Sequence, residues 1–225
     1  MSLPELDTAP VLATGVTLWL VRHGESTWNI AGLAQGHNDE AELTERGLRQ
    51  AAQAAAQFGY RPVRAIYASD LRRAQQTAAA FAAVLGLPVH PDARLRERSL
   101  GVLEGTSHEA IGPAATGLGD GLVIDPDVRP PGGESVRDLY LRAASFCDDL
   151  AASVNGPVLA NTVLASTVSA NPGGDVLVIA HGGPVRVLDA YTSGIPVDQM
   201  TWPPVENATI VRIPEFGTLS RGGIR

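Results

Sequence analysis

The chain predicts an α/β fold with a mainly parallel central sheet, and three observations carry the prediction. First, "VTLWLV" (16–21), "VRAIYAS" (63–69) and "DVLVIA" (175–180) are apolar runs with the length and continuity of strands buried on both faces. Second, segments with helical periodicity separate these runs, and strands alternating with helices build a parallel sheet. Third, no sequence repeat interrupts the 225 residues, a length suited to one sizeable domain, 1–225.

The helices follow in order. Thr44 is placed to cap "LTERGLRQAAQAAAQF", with an apolar stripe at Leu48, Ala51, Ala52, Ala55 and Phe58. Asp70 is placed to cap "LRRAQQTAAAFAAVL", which Gly86 ends and Pro88 confirms. Ser135 and Asp138 resemble a capping box at the start of a long amphipathic helix running through Val136, Leu139, Ala143, Phe146 and Leu150. A short helix follows the third strand, with Pro184 in its first turn. "ATIVRI" (208–213) is a late strand nearer an edge. Two stretches lack a period. Gly105–Gly132 is rich in Gly and Pro and reads as an insertion or lid, and Pro157–Gly174 reads as a loop.

Composition removes whole classes of function. Hydrophobic residues are 44% and charged residues 18%, values of a folded globular chain. No apolar run reaches the roughly 18 residues of a membrane helix, so no membrane partner is expected. The start, "MSLPELDTAP", lacks a charged segment followed by an apolar one, so no signal peptide is expected and a cytoplasmic setting fits. One cysteine, Cys147, rules out a disulfide framework and a cysteine-based zinc site. All 17 basic residues are arginine. Without lysine there is no Schiff base, no pyridoxal phosphate attachment and no Walker-type P-loop. A net charge of −7 with no basic block argues against nucleic acid.

The chemistry gathers at the strand ends. "LWLVRHGES" and "VLVIAHGGPV" share one layout, an apolar strand, then histidine, then glycine. Ligands of open α/β sheets bind beyond the carboxyl ends of the strands. Either histidine alone would be an ordinary strand-end residue. Two such ends, among only five histidines, predict that His23 and His181 share a site. His37, His90 and His108 lack this context and read as surface or loop residues. After the third strand, Arg72 falls in the first turn of a helix, where a cation opposes the macrodipole. Either Asp70 offsets it or Arg72 faces an anion, as Arg22 does at the first strand end. The adjacent Arg73 reads as a solvated helix-face residue. Glu97, among Arg94, Arg96 and Arg98, is either part of a surface ion cluster or a proton donor, while Glu104 reads as part of the following turn.

Two arginines, two histidines and a carboxylate suggest phosphoryl transfer through histidine. Neutral imidazole would attack phosphorus, arginines would balance the oxygens and the carboxyl group would move the proton. Guanidinium forks match phosphate oxygens, so no metal and no cofactor are required.

"LVRHGESTWN", "SDLRRAQQTA", "RERSLGVLEG" and "VIAHGGPVR" resemble, in order, the signature segments of the histidine phosphatase superfamily, in its phosphoglycerate mutase-like branch. The resemblance spans about Leu18 to Arg186. "QGHNDEAELTERG" also resembles the family, with Glu42 where proline is usual. The resemblance implies a three-layer α/β/α sandwich. It implies His23 as the nucleophile, Arg22, Arg72 and His181 as the remaining phosphate pocket, and Glu97 as acid and base. It places Asn29, Gln35 and Gly36 on the substrate side and offers the Gly182 N–H as a further donor. The family contains phosphatases and mutases. Gly105–Gly132 supplies only Arg129 and His108 against Glu109, Asp120, Asp125 and Asp127, too acidic for the insertion of a sugar-acid mutase. With H-G-G-P and "PPGGES", this favours a phosphatase of a small phosphorylated metabolite. A mutase is the alternative, and a non-catalytic phospho-ligand binder a more distant one. An acidic lid also argues against polyanionic substrates.

Overall fold

The structure, a computed structural model, describes residues 16–119, 121–123, 125–155 and 174–216. In chain order the elements are β1 (Val16–Arg22), the single turn α1 (Thr27–Ile30), α2 (Glu45–Phe58), β2 (Val63–Ala68), α3 (Arg72–Leu85) and β3 (Val89–Pro91). Then come α4 (Pro113–Thr116), β4 (Leu118–Gly119), β5 (Leu122–Val123), α5 (Val136–Asn155), β6 (Asp175–Ala180), α6 (Gly182–Thr192) and β7 (Ile210–Phe216). Five strands form one sheet in the order β3-β2-β6-β1-β7. All its pairings are parallel except that of β7, which runs antiparallel beside β1.

The alternation of strand side chains makes two cores. Leu18, Leu20, Val176 and Val178 face Leu139, Phe146 and Leu188 of α5 and α6. Val21, Ile66, Leu177 and Ile179 face Ala54, Phe58, Ala78 and Phe81 of α2 and α3. The sheet is therefore the middle layer of an α/β/α sandwich, as expected. No helix among the described residues is long and apolar enough to cross a membrane.

Caps and stripes follow the sequence with two exceptions. Thr44 caps α2 through Gly47 N (3.0 Å), and Ser135 and Asp138 exchange bonds at the start of α5. Asp70 does not cap α3. Arg96 takes both its oxygens at 2.6–2.7 Å, and the N–H of Arg72 bonds instead to Asp39. The buried stripe of α2 is Gly47, Ala51, Ala54, Ala55 and Phe58, and Leu48 and Ala52, expected on it, stand exposed. Gly47 sets this rotation. A Cβ there would lie 2.0 Å from the Glu25 carbonyl oxygen, so only glycine lets α2 approach the loop after β1 so closely.

The described part of 105–132 contains short helical turns and the two-residue strands β4 and β5, paired antiparallel. Arg98 ties it to the body, donating to the carbonyls of Thr116, Val128 and Glu134. The expected loop at 157–174 lies, but for Gly174, outside the described residues.

Candidate active site

Register brings the two histidines together. β1 and β6 are parallel neighbours with Arg22 opposite Ala180, so His23 and His181 leave the sheet at the same level. Their ring centroids are 5.1 Å apart. β2 lies on the other side of β6, which brings Ser69 and the start of α3 to the same edge. Both rings are buried.

His23 is held as one tautomer. Its Nδ1 lies 2.7 Å from the Gly24 carbonyl oxygen, which can only accept, so Nδ1 carries the proton and Nε2 the lone pair. Burial pulls its pKa well below the usual histidine value, and Arg73 and Arg22 push it further the same way. His181 is also depressed, first by burial and then by Arg73 and His23. Its Nε2 pairs with Ser69 Oγ at 2.8 Å. Asn207, which no sequence pattern singled out, donates from Nδ2 to the His23 carbonyl (3.1 Å) and to Asn29 Oδ1 (3.2 Å), tying the strand end to α1.

The arginine of the third strand end is Arg73, and the expectation for Arg72 is corrected. Arg72 points outward and pairs with Glu42, both side chains being about half exposed. Arg73 is fully buried and lines the cavity, with Nη1 and Nη2 on the carbonyls of Asn38 (2.8 Å) and Gly36 (2.9 Å). Desolvation lowers its pKa to about 10, still a cation at neutral pH. Arg22, a half-buried strand-end residue, donates Nη1 to the Val205 carbonyl. Among the described residues, neither arginine has a carboxylate within ion-pair distance.

Five buried side-chain nitrogens have no hydrogen-bond partner among the described residues, and three are Arg22 Nε, Arg73 Nε and His181 Nδ1. The two guanidinium Nε–H groups are donors, and leaving buried donors unmade costs about 1–3 kcal/mol each, so the pair marks a place for an acceptor. Glu97 completes the site. Its carboxylate receives the N–H of Gly183 on both oxygens (3.1 Å each) at the start of α6, and the N–H of Arg98 at 2.8 Å.

Arg22, His23, Arg73 and Glu97 border a cavity of about 420 Å³, in the range of small-molecule sites, while His181 stands beside His23 and is not part of its wall. Asn29, Gln35, Gly36 and Gly182 are among the residues that line it. His108 lines it too, contrary to its reading as a surface residue, together with Arg98, Arg186 and Trp202. The acidic residues of the insertion that the structure describes do not reach its wall; Asp127, for one, pairs with Arg137 on the surface. Among the described residues no group of three or more His, Cys, Asp or Glu could hold a metal ion. Cys147 is buried away from the site, its thiol pushed up to about 12 by desolvation.

A neutral imidazole with a free Nε2, cations around it and a carboxylate in the same cavity are the groups that phosphoryl transfer through histidine needs. The comparisons with known proteins agree. The family model of the histidine phosphatase superfamily (branch 1) matches residues 18–217, and the chain belongs to that family and is a histidine phosphatase. Glucosyl-3-phosphoglycerate phosphatases of Mycobacterium tuberculosis and Mycolicibacterium vanbaalenii are 36% identical over 186 residues, 83% of this chain and 77–78% of theirs. Probable phosphoglycerate mutase GpmB of Yersinia pestis is 31% identical over 197 residues, 87% of this chain and 83% of its own. A structure of the mycobacterial glucosyl-3-phosphoglycerate phosphatase with VO3 superposes with a TM-score of 0.72 at 34% identity, covering 88% of this chain and 90% of that one.

Proposed function

We propose that the enzyme hydrolyses a small phosphorylated metabolite by two displacements at the site just described. His23 Nε2 attacks phosphorus, and the bond from phosphorus to the ester oxygen breaks. Glu97, as the acid, gives its proton to the departing oxygen. The resulting carboxylate takes a proton from water, the water oxygen attacks phosphorus, and the phosphorus–nitrogen bond returns its electron pair to His23. Arg22, Arg73 and His181 hold the oxygens of the transferred group throughout. The observation that carries this reading is the pair of unpartnered buried guanidinium N–H groups, Arg22 Nε and Arg73 Nε, beside a histidine kept neutral. Asn29, Gln35, Gly36 and the Gly182 N–H face the substrate. The relatives named for glucosyl-3-phosphoglycerate and phosphoglycerate favour a phosphorylated sugar or sugar acid over a larger substrate.

The test is to trap the intermediate. Rapid quench with a ³²P-labelled phosphomonoester gives an acid-labile, base-stable phosphoprotein, and His23→Ala abolishes both label and turnover. Undiminished hydrolysis by His23→Ala refutes the assignment.

A further inference from the structure

Glu97, the acid of the reading above, sits on irregular backbone. Residues 97–100 belong to no helix or strand, so no ladder of hydrogen bonds fixes the main chain there. The Glu97 carboxylate is held by the N–H groups of Gly183 and Arg98. Those bonds aim the side chain only while the backbone beneath it stays in place, and that backbone needs a holder of its own.

Arg142 of α5 supplies one. Its Nη1 donates to the carbonyls of Arg94 and Arg96, at 2.8 Å each, and its Nη2 to the carbonyl of Glu97 itself at 2.7 Å. Nε and Nη2 also donate to Oε1 and Oε2 of Glu134, again at 2.8 Å. A guanidinium carries five N–H groups, and these five bonds employ them all. Glu134 takes hold of the chain on the far side of Glu97. Its Oε2 accepts the Ser99 N–H, and its own N–H donates to the Ser99 carbonyl, both at 2.9 Å. The acid is thereby fixed through residues before it, through its own carbonyl and through Ser99 after it.

The holder is itself firm. α5 lays Leu139, Ala143 and Phe146 into the core, and Arg142 stands among them in the chain. The side chains of Arg142 and Glu134 are only 18% and 21% exposed, so the pair is largely shielded from water. Glu134 offsets the charge of Arg142, and what the pair gives the site is chiefly geometry. We propose that Arg142, paired with Glu134, is a positioning residue for the general acid, fixing the main chain of Glu97 so that its carboxyl group meets the departing oxygen. This role rests on Glu97 being the acid, as in the reading above.

The experiment measures kcat/KM for p-nitrophenyl phosphate, phenyl phosphate and glycerol 2-phosphate, whose leaving groups need the proton increasingly in that order. Arg142→Met alone would strand the Glu134 carboxylate, so the test variant is Arg142→Met/Glu134→Gln, which removes both charges together. It should lose about 100-fold on glycerol 2-phosphate, the cost of roughly 1 Å of misplacement, and less than about tenfold on p-nitrophenyl phosphate. Inhibition by inorganic phosphate should stay unchanged, because the groups that hold phosphate are untouched. Arg142→Lys keeps the ion pair with three N–H groups in place of five, and should show the same ordering with a smaller loss, whether or not the double variant folds. In a Glu97→Gln background the double substitution should add nothing on glycerol 2-phosphate, since no acid is left to position. Equal losses on all three substrates, weakened phosphate inhibition, or a further loss in the Glu97→Gln background would each mean a general loosening of the fold and overturn the proposal. Selective loss in Glu97→Gln with none in the Arg142 variants overturns the role of Arg142 and leaves the acid in place. Glu97→Gln that itself shows no selectivity refutes Glu97 as the acid, and Arg142 as its positioning residue with it.

Discussion

Replacing Gly183 by alanine should slow the first displacement most for substrates whose leaving group needs a proton. A Cβ on Gly183 would lie 2.1 Å from Glu97 Oε1 and 3.1 Å from Leu139 Cδ2. Leu139 is fully buried in the core beneath α5 and cannot yield. The Glu97 carboxylate must swing away, and it loses both bonds from the Gly183 N–H. A positioned general acid is worth about 10²–10⁴ in rate, or about 2.7–5.4 kcal/mol at 1.36 kcal/mol per tenfold, and misplacement by about 1 Å can remove 10² of it. The loss depends on the leaving group. An alkoxide needs the proton as the bond breaks, whereas p-nitrophenolate departs without it. The assay is kcat/KM, which reports the first displacement, for glycerol 2-phosphate and p-nitrophenyl phosphate. Gly183→Ala should lose about 100-fold or more on the first and less than about tenfold on the second. Glu97→Gln should show the same pattern, and the double variant should be no worse than Glu97→Gln, because groups acting as one unit are not additive. Equal losses on both substrates, or losses that add in the double variant, would refute the link between Gly183 and Glu97.

Two further outcomes follow from the same geometry. Arg73→Ala should lower kcat by about 10²–10³, the usual cost of one anion-stabilising donor, while Arg72→Ala, which breaks only a half-exposed pair worth under about 1 kcal/mol, should stay within about twofold in steady-state kinetics. Stability should fall in mild acid. His23 and His181 have folded pKa values depressed below the unfolded value of about 6.5, so the unfolded chain binds more protons as pH drops below it. Stability measured by urea unfolding should therefore fall between pH 7.5 and 5.5, and His181→Ala should lose part of that pH dependence.

The sequence carried the strand ends because they need only local signals. An apolar run followed by His-Gly appears twice, and parallel register then makes neighbours of His23 and His181. The choice between Arg72 and Arg73 was also legible, but in a different signal. A macrodipole argument treats adjacent first-turn residues alike. Helical period does not: Arg73, Thr77 and Phe81 recur every four residues on the buried stripe, while Arg72 shares its face with Gln75 and Gln76. The spacing S-x-L-x-R-A-x-x-T also falls on Arg73. The rotation of α2 away from Leu48 depended on a close backbone approach at Gly47, which has no apolar signature. Asp70 failed as a cap because Arg96, 26 positions away, competes for it. His108, Asn207 and Trp202 were invisible for a related reason. They sit on irregular segments, and only tertiary placement turns them toward the site.

The way the arginines are anchored explains how so much positive charge can be buried and still serve a substrate. Arg22 is held by the Val205 carbonyl, Arg73 by those of Gly36 and Asn38, and Arg186 by that of Pro203. A carbonyl dipole satisfies a guanidinium N–H and offsets part of its desolvation, yet leaves the net charge in place. Carboxylate partners would have held these side chains more tightly, but an incoming anion would then have to displace them and leave a buried charge unpaired, which costs several kcal/mol. Burial first keeps His23 neutral, and the positive field of Arg73 and Arg22 acts in the same direction. One arrangement thus attracts the phosphate and preserves the lone pair that attacks it. Placing an aspartate within reach of Arg73 would weaken both effects together, and a rise in the pKa of His23 would accompany the loss of phosphate affinity.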